Sequence, residues 1–271
     1  MSAAVFRLPC SAFGVEFCLA AESSELLERM RSRVPWGTTT GVDARGAARE
    51  FVLLQNRDRY CITVAGQVSA EADDIEAALD ELAHELILHV AEFSPDRVFV
   101  HAGVVAWHGR ALVLPGASFA GKTTLVAELV RAGAVYYSDE YAVLDAEGRV
   151  HPYARELAMR GEGSEAQSPL SVAALGGISG SMPLPVSHVV FAEYAEGAAW
   201  RPLPVSPGMA ALEMLRHAVP VQRTPERVMA TLGRMLEDAT AVRSPRGEAK
   251  DAAQALLAWM DADRATASTR R

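Results

Sequence analysis

Cysteine is scarce in this chain, and the three present, Cys10, Cys18 and Cys61, are odd in number and not closely paired. That argues against a disulfide framework or a zinc site, and leaves the three as small apolar packing residues in a reducing compartment. Positive charge is also short. With 26 Lys and Arg against 34 Asp and Glu, the formal net charge is −8. Such a balance argues against a broad surface for DNA, but it leaves room for a local basic pocket. Long apolar runs are missing as well. None precedes the acidic Glu22 and Glu25, so no secretory signal is expected. The run Ala111–Leu114 is far too short to cross a bilayer. The expectation is a soluble cytoplasmic protein with neither a membrane nor a nucleic acid as partner. His108, His151, His188 and His217 show no ligand spacing, so no metal site built from protein side chains alone is expected. No internal repeat is present.

What is there begins with core material: half of the 271 residues are hydrophobic (50%). Weak alternation at Val15–Leu19 and at Phe51–Leu54 predicts strands, as do the strand formers of Tyr60–Val64. Between them Glu25–Met30 reads as a short helix that stops before Pro35. Ile75, Ala78, Leu79, Leu82 and Leu86 recur at helical spacing and predict a long helix over about 71–93, with Asp73, Asp74 and Glu76 in its first turns. Strands are expected at 97–105, 111–114, 134–137, 141–144 and 189–192. Helices are expected at 123–131, 210–217, 225–236 and 252–260, with a short strand after Ala241. The stretch 161–181 is rich in Gly and Ser and reads as a mobile loop, and 261–271 as a frayed end.

One motif stands out. Gly116-Ala117-Ser118-Phe119-Ala120-Gly121-Lys122-Thr123 has the spacing Gly-x4-Gly-Lys-Thr. It follows a hydrophobic strand and opens an amphipathic helix, the context in which such a loop wraps phosphates with its backbone N–H groups. A P-loop of this kind takes ATP with Mg²⁺: residues 116–123 and Thr124 line the nucleotide, Lys122 reaches the β- and γ-phosphates, and the Thr123 hydroxyl holds the metal. The alternatives are a plain glycine-rich turn or a site that no longer binds.

A phosphate site does not name a reaction, so the acids matter. Asp139 and Glu140 end the strand after the motif's helix, where an open α/β sheet gathers its ligands. One can take a proton from an attacking hydroxyl and the other can hold Mg²⁺. The plain alternative is a solvated Asp-Glu turn. His101 lies among apolar neighbours on the preceding strand and, read alone, is a satisfied core histidine.

Taken together, His101-Ala102-Gly103-Val104-Val105, Gly109, Gly116-Ala117-Ser118 through Gly121-Lys122-Thr123, and Ser138-Asp139-Glu140 resemble the HPr kinase/phosphorylase catalytic domain and its stand-alone relatives. The resemblance covers about 98–160 well and the remainder loosely. It implies a P-loop kinase core with a mixed sheet, related in fold to phosphoenolpyruvate carboxykinase. It implies Asp139 as base, Glu140 as the second acid near the metal, and His101 as the active-site histidine; Arg160 is a candidate phosphate contact. Three departures stand out. Phe119 occupies the family's mid-loop Gly, and Glu140 replaces a second Asp. No Glu-x-Arg-Gly segment follows the acids, so phosphorylase activity and HPr as acceptor are not carried over.

The chain is therefore expected to be α/β, with a small N-terminal α+β lobe over 1–95 and the kinase-like domain over 96–271. The expected activity is ATP-dependent phosphorylation of a hydroxyl, a serine of a protein or peptide first and a small molecule second. A nucleotide-binding regulatory module is the other class. The family's hexameric assembly makes a homo-oligomer the matching expectation. Glu193 could be mistaken for a metal-orienting acid and is read instead as the solvated end of a buried strand. Arg216, Arg223, Arg227, Arg234 and Arg243 read as a solvated basic face, with the alternative that one reaches the phosphates or an acidic acceptor.

Overall fold

The computed structural model describes residues 6–42, 49–57, 59–116, 121–160 and 167–269. The chain is mixed α/β and divides into two compact units, Met1–Asp96 and Arg97–Arg271. In the first, strands β1 (Phe6–Ala12) and β2 (Val15–Ala21) lead to helix α1 (Ser24–Arg31), followed by β3 (Thr39–Thr40), β4 (Arg49–Asn56), β5 (Arg59–Val64), β6 (Gln67–Ala72) and α2 (Ile75–Phe93). The strands form one six-stranded sheet in the order β3-β1-β2-β4-β5-β6. Period-2 burial turns Phe17 and Leu19 of β2, and Phe51 and Leu53 of β4, into the core.

The long helix starts later than its periodicity predicts. Gln67–Ala72 is a strand, and the helix opens at Ile75 behind Asp74, whose carboxylate caps the Ala77 N–H at 2.9 Å. The acidic run thus marks a cap rather than a first turn.

The second unit holds β7 (Val98–Trp107), β8 (Arg110–Pro115), α3 (Lys122–Arg131), β9 (Val135–Ser138), β10 (Tyr141–Leu144), β11 (Arg149–His151), β12 (Leu157–Arg160), β13 (Gln167–Leu170), β14 (Leu184–Tyr194), β15 (Leu203–Pro204), α4 (Pro207–Leu215), α5 (Pro225–Leu236), β16 (Thr240–Arg246) and α6 (Ala249–Thr269). Its eight-stranded sheet runs β11-β10-β7-β8-β14-β16-β15, with β9 also on β7 and β11 also on β14. Strands β8, β14 and β16 are parallel, and β7 is antiparallel to β8, β9 and β10. Alternation on β7 sends Val98, Val100, Ala102, Val104 and Ala106 to the face covered by α4 and α5. The opposite face carries Val105, Leu112 and Leu114 against α3 and α6.

Two sequence expectations change here. Of the 161–181 stretch, residues 161–166 lie outside the described residues, while Gln167–Leu170 pairs with β12 and Val172–Leu175 is a 3₁₀ turn. Residues 261–269, expected to fray, continue α6, because Asp261 accepts a hydrogen bond from Trp107 Nε1 at 2.9 Å. Among the described residues no helix is long and apolar enough to cross a membrane.

The turn between β10 and β11 depends on one glycine. Gly148 sits at φ +75°, and a Cβ there would overlap the α5 backbone at Arg234 and Met235. Left-handed strain and overpacking add, so Gly148→Ala is expected to destabilise the fold by about 2–4 kcal/mol. Chemical denaturation against wild type checks this.

Candidate functional site

The carboxyl ends of β8, β9 and β16 converge. Strand β8 is buried from Ala111 to Pro115 and delivers the chain to Gly116, whose N–H donates to the His101 carbonyl at 3.3 Å. Residues 117–120, which carry the expected contacts of Ala117, Ser118, Phe119 and Ala120, lie outside the described residues. Description resumes at Gly121, which takes φ +73° and forms the N-cap of α3. Among the described residues no side chain caps this helix, and no acid occupies its first turn. The first-turn N–H groups, which have no intrahelical acceptor, give it a positive end. Thr123 is half-buried and Thr124 exposed.

Lys122 opens α3 and folds back, its Nζ donating to the Gly116 carbonyl at 2.9 Å. Burial pulls its ammonium down to about 8, against the opposing attraction of Asp139 and Glu140. The motif lysine and both acids thus share one electrostatic neighbourhood.

Asp139 follows β9 and is 9% exposed. The Tyr136 hydroxyl, itself fully buried, donates to Asp139 Oδ1 at 2.8 Å. Burial and the Asp139 carboxylate both push the Tyr136 phenol up, so it stays a donor. The turn is fixed by Ser138, whose Oγ accepts the N–H groups of Glu140 (3.0 Å) and Tyr141 (2.9 Å). Glu140 points elsewhere: its carboxylate pairs with Arg155 Nη1 at 2.7 Å. Its carbonyl accepts the Ala102 N–H at 3.0 Å, tying the acid turn to β7.

His101 sits on β7 opposite Tyr141, their ring centroids 4.9 Å apart, and its backbone N–H donates to the His217 carbonyl at 2.7 Å. His101 therefore lies beside both the Gly116 turn and the acid turn. His217 shows no sequence signal, yet burial and then the Lys122 charge lower its imidazole pKa.

Arg216, Arg223 and Arg234 lie exposed and Arg243 half-exposed, as a solvated basic face requires. Arg243 pairs with Glu193 at 2.5 Å and with Glu213, and stacks over Phe191, so Glu193 ends its strand as the partner of a cation. Arg234 pairs with Glu237 at 3.2 Å. The side chain of Arg160 lies outside the described residues. The guanidinium beside the motif is Arg246, which sequence reading missed. It is 4% exposed, donates from Nη2 to the Gly121 carbonyl at 3.1 Å, and lies 5.3 Å from the Tyr194 ring centroid. A Cβ on Gly121 would overlap that guanidinium, so Gly121 is required both by its φ and by its neighbour. Arg246 ends β16, and nothing local in Ser244-Pro245-Arg246 points to a partner 125 residues away.

Two outcomes follow. Tyr136→Phe removes the donor to a buried carboxylate and is expected to destabilise the fold by about 1–3 kcal/mol, read by urea denaturation. Lys122 has a folded pKa of about 8, below the roughly 10.4 of a free lysine. The cost of burying its charge is therefore fully present below pH 8. Between the two values the unfolded chain binds more protons, so stability rises with pH across that window. Lys122→Met is expected to flatten that rise in unfolding free energy measured over the same window. No protein-family model matches this chain, and no curated protein matches it in sequence.

Proposed function

We propose that the unit Arg97–Arg271 is an ATP-dependent kinase that phosphorylates a hydroxyl, with a P-loop fold related to HPr kinase and phosphoenolpyruvate carboxykinase. The observation that carries this reading is the meeting of Lys122, on a helix N-terminus behind a left-handed glycine, with a buried Asp139. The residues fit a triphosphate. Gly121 lets the backbone approach, the first turn of α3 offers N–H groups, and Lys122 offers a cation whose present acceptor is a carbonyl that a phosphate oxygen would outbid. Thr123 and Glu140 are the residues that would hold Mg²⁺, Glu140 after exchanging Arg155 for the ion. MgATP supplies the phosphoryl group.

The chain's own part is positioning and proton transfer. Tyr136 occupies Oδ1 of Asp139, which leaves Oδ2 to accept the proton of an acceptor hydroxyl. His101 shares that corner and assists Asp139. The preferred acceptor is a serine of a protein or peptide, and a small-molecule hydroxyl comes second. The Arg155–Glu140 pair favours a second reading, a regulatory module that binds nucleotide without transferring phosphate.

Isothermal titration with ATP, with and without Mg²⁺, is expected to show Mg²⁺-dependent binding that Lys122→Ala abolishes. Asp139→Asn is expected to keep ATP binding and to lower phosphate transfer, followed with labelled ATP, by about 10²–10⁴-fold. No binding by a folded wild type would sink the nucleotide site. A silent Asp139→Asn beside a defective Lys122→Ala would favour the regulatory module.

A further inference from the structure

The opposite end of the large sheet holds a second cavity, of about 370 Å³, in the range of small-ligand pockets. It lies where β8, β14 and β16 begin, under the last turns of α6 and the β7–β8 turn. Two features show that this end is built rather than merely left open. The first is a β-bulge: the β8–β14 register slips between Val186 and His188, with Ser187 the extra residue. Bulges re-aim side chains, and here the Ser187 hydroxyl meets the adjacent His188 Nδ1 at 2.9 Å. His188, 5% exposed, places its Nε2 3.2 Å from Asp263 of α6, and its ring stands edge-on to Trp259 at 4.8 Å. The second feature is the opposite wall, where Asp261 takes Trp107 Nε1 at 2.9 Å and His108 Nε2 at 3.0 Å. Both walls are therefore pinned to α6.

The chemistry of the lining is mixed in a specific way. Trp107 and Met260 supply apolar surface. Arg110 and Arg264 supply guanidinium groups, and Asp238 a carboxylate. Asp263 is satisfied by His188; the side chains of Arg110, Arg264 and Asp238 make no hydrogen bond or salt bridge among the described residues, though Arg264 lies near enough to Asp261 to help hold its carboxyl down. A guanidinium fork matches a carboxylate, and a carboxylate matches an ammonium. Charges of both signs beside an indole ring in one cavity match a ligand carrying both signs and an apolar group.

We propose that this cavity is a second ligand site that binds a free α-amino acid with an apolar side chain. Its carboxylate meets Arg110 and Arg264, its ammonium meets Asp238, and its side chain lies on Trp107 and Met260. The proposal stands apart from the kinase reading, since it shares no residue with it.

Titration of the full chain with L-phenylalanine and L-leucine tests it, with 3-phenylpropionate and 2-phenylethylamine as the two half-ligands. The amino acids are expected to bind, and each half-ligand to bind at least about tenfold more weakly than L-phenylalanine. Arg110→Ala and Asp238→Ala, both on exposed residues, are each expected to weaken L-phenylalanine by about tenfold or more without moving the thermal midpoint. Absence of binding of either amino acid up to about 10 mM would overturn the proposal. So would 3-phenylpropionate binding as tightly as L-phenylalanine, or wild-type affinity in either variant.

Discussion

The strand β7 is the constraint on which the carboxyl-end site depends. It bonds to β8 along one edge, and to β10 and then β9 along the other. The His101 carbonyl on β7 holds Gly116, and the Ala102 N–H holds Glu140. Two turns far apart in sequence are thus set by adjacent peptide groups of one rigid element. Valine and alanine suit β7 because both its faces are covered, so its side chains pack rather than alternate with polar ones. The exceptions are Trp107 at its end and His101, partly exposed where the strand reaches the two turns. Gly103, two residues on, faces Val126 of α3 so closely that a Cβ would strike its methyl group, 2.6 Å away. That contact brings α3, and with it Lys122, down onto the sheet.

Charge at this corner is arranged around a cation that burial disfavours. Lys122 gives its proton to a carbonyl while burial works against its charge, and the acids nearby are already engaged: Asp139 by Tyr136, Glu140 by Arg155. Arg246 also spends its guanidinium on carbonyls, those of Gly121 and Gly247. A second buried cation against the same turn makes the local field more positive than Lys122 alone would. Under the proposed reading, an anion on the first turn of α3 would relieve the burial cost of both cations. That gives ligand binding a source of energy already present in the protein.

Much of this was legible in the sequence, and the limits have physical reasons. Strands such as β2, β4 and β8 announced themselves because their burial alternates or is continuous over a run of strand formers. The Gly-x4-Gly-Lys-Thr spacing located the N-terminus of α3 to within one residue, since a left-handed glycine before a helix is a local requirement. Helix α2 was extended too far upstream because Asp73 and Asp74 look alike in a first turn and at a cap. Helix α6 was cut short because its last turns are polar on the surface and held by Trp107 and His188, contacts that span 154 and 75 residues. The same blindness hid Tyr136, Arg155 and Arg246. Nothing local distinguishes a tyrosine that donates to a carboxylate from one that merely fills a core.

Helix α6 ties the two ends of the sheet together. Twenty-one residues long, it spans about 30 Å. It starts three residues after Arg246 and ends over the second cavity through Asp261 and Asp263. In open α/β sheets ligands gather at the carboxyl ends of strands, so residues at the amino ends ordinarily serve stability alone. The pinning contacts of α6 fit that role: Trp107, His108 and His188 each find a carboxylate there. Arg110 and Asp238 do not fit it. Both are exposed, so water solvates them and the fold does not depend on pairing them. What sets them apart is their place: charges of both signs line one cavity beside Trp107 and Met260, and that is the argument for a ligand at this end of the sheet.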